Sequence, residues 1–394
     1  MILKDKKIVL GVSGAISAYK ALELTRLLVK EGASVLPVMT RAGAEFISPL
    51  SLATLAGQKV FTDIFEAGGA DYITHIELAQ KSDLIIVAPA TANIIGKTSS
   101  GIADDPLTTV LAAATVPVLI APSMNTGMWE NAIVRGNVEK LKGLGYLFVG
   151  PAEGELACGA VGEGRLAEPA DIVEAAREAL SKKDLMGEKV LVTAGATRER
   201  IDPIRFVSNA SSGRMGYALA RVARRRGAEV VLISGPSYLE RPKGVTFVRV
   251  STAAELFDAS VRYFPQSTLV VMAAAVADYR PVKCFPEKIK KEDKALTVDM
   301  ERTGDVLKYM GKHKRDGQFL IGFALETENL EENARKKLKE KDLDIVVGNS
   351  PGGLDSETNE VTIINRDEEV EFLPPACKEE VAEKILDLAV RMKG

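Results

Sequence analysis

Four short segments in the first half of the chain carry residue types that could share one reaction. They are Gly11-Val-Ser-Gly-Ala-Ile16, His75 in Thr74-His-Ile-Glu-Leu-Ala79, Pro122-Ser-Met-Asn-Thr-Gly-Met-Trp129, and Ala157-Cys-Gly159. A glycine turn ahead of a helix offers backbone amides and a positive dipole end to an anionic phosphate. An imidazole, an amide expected to be buried and a thiol complete the parts needed for redox chemistry on a small thiol acid.

Each segment has a plainer reading beside the chemical one. The turn at Gly11–Gly14 is either structural or phosphate-binding. A dinucleotide site expects Gly-x-Gly-x-x-Gly and an acidic residue ending the second strand, whereas that strand here runs into Met39-Thr-Arg-Ala-Gly43. A mononucleotide phosphate held by Ser13, the turn amides and Thr40 fits better, which points to FMN. His75, one of two histidines with His313, is either a capping residue or a proton-handling group. Asn125 follows a buried strand, where an amide must find a partner; it bonds loop backbone or holds a carboxylate. Cys158 lies among Gly150, Gly154, Gly159, Gly162 and Gly164, the composition of a mobile flap.

The second half holds a different set. The connection from Gly195 to Gly213 is long for a strand-to-helix loop, and long ordered loops are usually functional. Its end, Ser208-Asn-Ala-Ser-Ser-Gly-Arg-Met-Gly216, is either a capped helix start or an anion site. Ala273-Ala-Ala-Val-Ala-Asp278 ends a buried strand in residues small enough for a flat base to approach, with a carboxylate placed for a metal ion. Glu287-Lys-Ile-Lys-Lys291, Lys336, Lys337 and Lys341 could neutralise a triphosphate or form a solvated face.

The elements that must position these residues are α/β. Short β-branched runs alternate with helical periodicity, the signature of mostly parallel sheets covered by helices on both faces. Strands are predicted at Lys7–Val12, Ser34–Met39, Leu84–Ala88, Pro117–Ala121 and Leu147–Val149, with a helix over Ala15–Glu31 ending at Gly32. Strand Lys189–Thr193, helix Gly213–Arg226, strand Val230–Ser234 and strand Thr268–Ala273 repeat the plan. At 394 residues, two Rossmann-like three-layer domains are expected, at 1–187 and 188–394.

A net charge of -3 with 27% charged residues leaves no basic excess for a phosphate backbone, so small molecules are expected as partners and nucleic acid is not. Three cysteines without a Cys-x-x-Cys pair argue against a disulfide framework or zinc site and for a reducing compartment. The N-terminus lacks a signal-peptide pattern, and the apolar stretch 107–122 is too interrupted to span a membrane. A cytoplasmic enzyme is expected.

In order along the chain, Gly11–Ile16, His75, Ala88-Pro-Ala-Thr-Ala-Asn93, Gly101-Ile-Ala-Asp104, Pro122–Trp129 and the Ala-Cys-Gly flap resemble the flavin-dependent cysteine decarboxylases. That resemblance implies FMN bound by Ser13, Gly14, Ile16, Thr40, Ala88, Pro89, Thr91, Ala103 and Met124. It further implies that His75 acts as base or electrostatic partner, Asn125 holds the substrate carboxylate and Cys158 donates the final proton. The family oxidises a cysteine thiol so that the thiocarbonyl accepts electrons as carbon dioxide leaves. The second half resembles the bacterial phosphopantothenate–cysteine ligases, found fused behind such decarboxylases. The implication is activation of 4'-phosphopantothenate by CTP as an acyl cytidylate with Mg2+, then displacement by cysteine.

On matching positions, Asn209 would act on the acyl intermediate and Lys288 would face the reacting phosphate. Asp278 would serve metal and nucleotide, and Ala273, Ala274, Ala275, Asp305, Phe323, Lys337 and Lys341 would complete the CTP site. Where the family often has Asn-Pro-Asp-Ile, this chain has Thr303-Gly-Asp-Val306. A bifunctional enzyme of coenzyme A biosynthesis is the expectation, with a homo-oligomer of decarboxylase trimers, a dodecamer, and ligase-domain dimers implied by the resemblance. The rivals are a flavin decarboxylase of peptidyl cysteine, a flavin prenyltransferase relative, and a non-catalytic flavin-binding regulatory subunit; the first two leave the second half unexplained.

Overall fold

Along Lys7–Val12 the apolar residues alternate between two buried faces, Ile8, Leu10 and Val12 joining one core and Val9 the other, as a strand covered on both sides requires. This pattern organises both halves of the computed structural model, which describes residues 2–65, 74–155, 159, 161–291, 296–350, 352 and 356–393. The chain divides into two compact units, Met1–Ser181 and Lys182–Gly394.

In the first unit the main strands are β1 (Lys7–Val12), β2 (Ser34–Met39), β3 (Leu84–Ala90), β4 (Val118–Pro122) and β5 (Leu147–Phe148). Among the described residues they form a parallel sheet in the order β2-β1-β3-β4-β5. A separate antiparallel hairpin pairs β6 (Ala152–Glu155) with β7 (Val161–Arg165). The helices are α1 (Lys20–Lys30), α2 (Arg41–Ala44), α3 (Pro49–Ala56), α4 (Thr74–Lys81), α5 (Ala92–Ser100), α6 (Pro106–Ala112), α7 (Thr126–Glu130), α8 (Ala132–Gly143) and α9 (Pro169–Leu180). Leu24 and Leu28 of α1 and Ile172 and Ala176 of α9 cover one face of the sheet. Ile94 and Ile95 of α5, Leu107 and Val110 of α6 and Leu141 of α8 cover the other. Strand order reverses between β1 and β3, which opens a crevice above their carboxyl ends.

The predicted helix over Ala15–Glu31 divides into a 3-10 turn at Ile16–Tyr19 followed by α1. The tighter turn coincides with a buried bond between the hydroxyls of Ser17 and Ser123, 2.7 Å apart. Gly32 ends the segment at φ 85, the left-handed conformation expected there.

The second unit contains β8 (Lys189–Ala194), the hairpin of β9 (Arg198–Arg200) with β10 (Phe206–Ser208), then β11 (Glu229–Ser234), β12 (Thr246–Arg249) and β13 (Leu269–Met272). A second hairpin pairs β14 (Tyr279–Pro281) with β15 (Met300–Arg302), and β16 (Phe319–Leu325), β17 (Ile345–Asn349), β18 (Thr358–Asn365) and β19 (Val370–Cys377) follow. The large sheet runs β12-β11-β8-β13-β16-β17-β18-β19. Its first six strands in that order are parallel and the last two antiparallel, and its order reverses between β8 and β13. Helices α10 (Arg214–Arg225) and α14 (Lys378–Lys393) cover one face, and α11 (Ala253–Tyr263), α12 (Val306–Lys312) and α13 (Leu330–Glu340) the other.

At the amino edge of this sheet, Arg226 is buried yet fully engaged. Its guanidinium binds Asp184 at 2.7 Å, Glu383 at 3.3 Å and Asp387 at 3.0 Å, the pairing a buried cation needs. Leu185 joins the α10–α14 core. The stretch leading into β8 is therefore anchored in the second unit.

Candidate functional sites

The crevice of the first unit is framed by hydroxyls that crosslink three strand ends. Ser13, 1% exposed, donates to the Pro89 carbonyl at 2.7 Å and accepts from the Thr91 amide at 3.1 Å. The Ser123 amide donates to Ala90 O at 2.9 Å. The Ser13 hydroxyl proton is thus committed to the protein. Gly14 is required by close approach, because a Cβ there would lie 2.6 Å from that of Ala42. Thr40 caps α2, accepting from Gly43 N at 3.1 Å, while Thr91 caps α5.

Ala88 and Pro89 are buried in the floor of β3, whereas Ile16 and Ala103 are exposed at the rim and Met124 is half-buried. Ile16, Tyr19, Met128 and Ile133 leave large apolar surface exposed next to these loops. His75 stands half-buried in the first turn of α4, which packs against α6.

Asn125 corrects the expectation of a buried amide. It is exposed beyond the end of β4, and its Oδ1 caps α7 by accepting from Gly127 N at 2.8 Å. Both anticipated behaviours are compatible with this geometry, since one amide oxygen bonds the backbone.

The flap expected from its glycines is the hairpin β6–β7, whose root grips the Asn125 loop. Met124 N donates to Gly164 O at 2.9 Å. Gly164 has φ 142, and a Cβ on it would lie 2.3 Å from Met124 O. Glu163 accepts from the Trp129 indole at 2.8 Å, with Arg135 above that ring. Cys158 at the tip lies outside the described residues. The root is fixed by Glu168 as well, which bonds Lys20 at 2.8 Å and Arg165 at 2.9 Å; the hydrogen bond from the Lys20 ammonium holds its carboxyl below the usual range.

In the second unit a cavity of about 550 Å³ opens over the carboxyl ends of β13, β16 and β17, a size suited to a small molecule. It brings together Asn209, Ala273, Ala274, Ala275, Asp278, Asp305, Phe323, Lys337 and Lys341, with Thr303 and Gly304 of the departing motif. Lys288 is exposed and not part of this lining; its neighbour Ile289 is tied to Asp202 through a 3.2 Å amide bond. Burial works to raise the pKa of Asp202, but the amides of Arg205, Ile204 and Ile289 hold it well below the carboxylate range.

Asn209 donates through Nδ2 to the carbonyls of Ala275 and Val276 at 3.2 and 3.1 Å, which fixes it against the end of β13. Lys341 pairs with Asp305 at 2.9 Å. Burial acts to raise the Asp305 pKa, yet the Lys308 amide and the Lys341 ammonium lower it. Lys337 donates to Phe323 O at 2.6 Å, and burial followed by repulsion from Lys341 pushes its pKa down. Arg214, Lys337, Lys341 and Lys378 with Asp278 and Asp305 in one lining can take a polyphosphate and an accompanying divalent ion.

The glycines explain how the loop from Gly195 is tolerated. Gly195 and Gly213 are both left-handed, and a Cβ on Gly213 would stand 2.9 Å from Gly195 N. Gly216 lets α10 touch β8, since a Cβ there would meet Thr193 O at 2.7 Å. Gly195 and Gly216 thus take the turn and helix-packing places of a nucleotide-binding glycine fingerprint, with the β9–β10 hairpin inserted between Gly195 and Gly213. Sequence reasoning missed Asn349, Asn359 and Lys378, which also line the cavity. The signal for Asn359 was a polar residue on the inward phase of β18, in step with buried Val361 and Ile363.

Among known families, Flavoprotein matches residues 2–181, and the DNA/pantothenate metabolism flavoprotein C-terminal domain matches residues 185–392. The chain is 46% identical to a coenzyme A biosynthesis bifunctional protein CoaBC of Bacillus subtilis, over 98% of this chain and 96% of that protein. A crystal structure of the C-terminal domain of a protein of that name is 44% identical, covering 54% of this chain and 98% of its own, with a TM-score of 0.47. A PPC decarboxylase mutant complexed with pantothenoylaminoethenethiol is 32% identical, covering 44% and 97%, with a TM-score of 0.41. No helix among the described residues is long and apolar enough to cross a membrane.

Proposed function

We propose a division of labour for this chain, which belongs to the family of coenzyme A biosynthesis bifunctional proteins. It is a flavoprotein with decarboxylase and ligase activities. In our reading the second unit joins cysteine to 4'-phosphopantothenate using CTP, and the first decarboxylates the resulting phosphopantothenoylcysteine to 4'-phosphopantetheine using FMN. The observation that carries it is coincidence: each family match, each switch in strand order and each set of motif residues falls in the same unit.

The first crevice fits a flavin mononucleotide. The turn after Ser13 leads into the 3-10 turn at Ile16, Thr40 and Thr91 cap α2 and α5, and the floor at Ala88–Pro89 is apolar and buried. Ile16, Ala103 and Met124 would flank the ring. Bound flavin supplies a two-electron acceptor for the substrate thiol and returns the electrons later. Asn125 would hold the substrate carboxylate through its side-chain amide. His75 would handle the proton at the reacting thiol, and Cys158 would deliver the last proton from the flap. The exposed apolar rim at Ile16, Tyr19, Met128 and Ile133 supports completion of the crevice by a second copy, in trimers of a dodecamer whose ligase units pair.

In the second cavity Lys337 and Lys341 would bind the nucleotide phosphates and Phe323 and Ala273–Ala275 the base. Asp278, exposed at the rim, would hold Mg2+ together with phosphate oxygens, since that ion is commonly bound by one or two carboxylates and its substrate. Asn209 would orient the acyl cytidylate for attack by the cysteine amine. Lys288 would have to reach the phosphate from outside the lining described.

The test is the absorption spectrum of the purified protein, followed by product analysis with phosphopantothenate, cysteine and CTP. A flavin spectrum and 4'-phosphopantetheine are expected. A protein unable to take up FMN would overturn the first half, and absence of nucleotide-dependent ligation the second. Cys158→Ser should still release carbon dioxide but accumulate the unreduced enethiol.

A further inference from the structure

The turn joining β9 to β10 carries Asp202, whose side chain is fully buried although its neighbours Pro203 and Ile204 are exposed. One carboxylate oxygen accepts from the amides of Ile204 and Arg205 at 2.8 and 2.7 Å, as a turn aspartate commonly does. The other oxygen serves a distant segment as well. It accepts from Ile289 N at 3.2 Å and from Arg205 Nε at 2.9 Å, while Arg205 Nη2 donates to the Ile289 carbonyl at 2.6 Å. Both backbone groups of Ile289 are therefore held by one ion pair. The Phe285 amide donates to Ile201 O at 2.8 Å, so the same turn grips the chain on either side of Lys288. A turn by itself needs no such reach, and burying a carboxylate is costly unless its oxygens are engaged.

We propose that Asp202 is a positioning residue for ligation: through Ile289 it holds Lys288 in a set place relative to Asn209. The inference rests on the reading of Lys288 as the group that faces the reacting phosphate. Lys288 is exposed and outside the cavity lining, so burial does not place it. The hairpin supplies the connection. Strand β10 ends at Ser208, and Asn209 follows directly, bonded to the carbonyls of Ala275 and Val276. At that end Ser208 donates to Thr197 O at 2.7 Å, and the Thr197 hydroxyl accepts from Ala277 N at 2.9 Å. One end of the hairpin is thus fixed beside the cavity, and the other carries the Asp202–Arg205 grip on the lysine segment. Groups borne by regular elements are placed more precisely than groups on loops, and here a loop is tied to an element. Because Asn209 has its own bonds at the end of β13, release of Ile289 frees Lys288 and leaves Asn209 where it is.

The experiment follows the two half-reactions separately in the full chain: single-turnover formation of the acyl cytidylate from 4'-phosphopantothenate and CTP, then its consumption when cysteine is added. Asp202→Asn keeps an oxygen for the turn amides but sets an N–H against Ile289 N and Arg205 Nε. It should slow cytidylate formation about ten- to a hundredfold, the scale of a misplacement of about 1 Å, and change consumption by cysteine less than about twofold. Added to Lys288→Gln, it should slow the reaction less than about twofold further, because the group it places is gone. Arg205→Met, at a partly exposed side chain, removes the bond to the Ile289 carbonyl and leaves the turn amides on Asp202; it should give the same pattern even if Asp202→Asn fails to fold. A merely structural aspartate would lower the nucleotide-free Tm and slow both half-reactions, since Asn209 ends the same hairpin, and that result overturns the proposal. So do losses that multiply in the double variant, or a full rate in Asp202→Asn where Lys288→Gln is slow. Lys288→Gln that forms the cytidylate at the unaltered rate removes the reading of Lys288, and the proposal with it.

Discussion

The two units use one plan in opposite ways. Each places a tight glycine turn where strand order reverses, but the first crevice is framed by hydroxyls bonded to one another and to backbone, through Ser13, Ser17, Thr91 and Ser123, with His75 half-buried and Asn125 exposed. The second gathers its charged groups in a cavity: a desolvated Lys337 bonded to the Phe323 carbonyl, a Lys341–Asp305 pair, and Arg214 and Lys378 in the same lining. The first offers backbone turns and apolar surface to what is laid over it. The second offers fixed charge.

The sharpest way to break this contrast is Asn125→Ala, expected to lower decarboxylation by at least about 10²-fold through lost positioning while ligation is unchanged. Equal loss of both activities, measured separately, would show that the units are not independent. Asn125→Asp retains the cap to Gly127 and separates helix stability from substrate holding.

Next comes Lys337→Ala, expected to raise the KM for CTP about ten- to a hundredfold, the worth of one charge-assisted bond. The pH dependence follows from the lowered pKa of Lys337. Because the fold favours its neutral form, that contribution to stability is present at high pH and is lost as pH falls through the folded value. Phosphate needs the charged form, so CTP binding should weaken as pH rises through the same depressed value. Lys337→Arg should flatten that profile; an unaltered protein whose CTP affinity is already flat into the alkaline range would contradict the assignment.

A smaller effect, about tenfold on decarboxylation, is expected for Gly164→Ala, because the added Cβ collides with Met124 O and shifts the flap root. Smallest in turnover is Ser13→Ala. It should cost about 1–3 kcal/mol of stability by leaving buried partners unpaired, read as a lower Tm of the flavin-bound unit, with little change in flavin affinity if the amides hold the phosphate. A collapse of flavin binding at unchanged Tm would make the hydroxyl a direct ligand instead.

Much of the framework was legible because its signals are local. The strands Lys7–Val12 and Ser34–Met39 show strong β-branched runs, and Gly32 marks a helix end. What was not legible depends on distant contacts. Nothing near Asn125 shows that the loop after β4 turns its side chain outward to cap α7. The flap reads as irregular because its glycines hide a hairpin whose register is set by Met124 and Thr126 on another segment. Lys288 shares a lysine-rich composition with Lys337 and Lys341, yet only the latter two reach the cavity. Asn359 was readable in principle, as a break in an alternating strand.

The clasp of Arg226 on Asp184 has a consequence for how the two units are joined. It fastens the incoming chain at the amino edge of the second sheet, and α9 leaves the first unit beside Glu31 at the amino edge of its own, through the Arg177–Glu31 pair at 2.7 Å. Both ligand-facing edges are the opposite ones. Within each unit the joint therefore enters or leaves at the end of the sheet away from the site, so a change in linker length should leave each site's own residues in place.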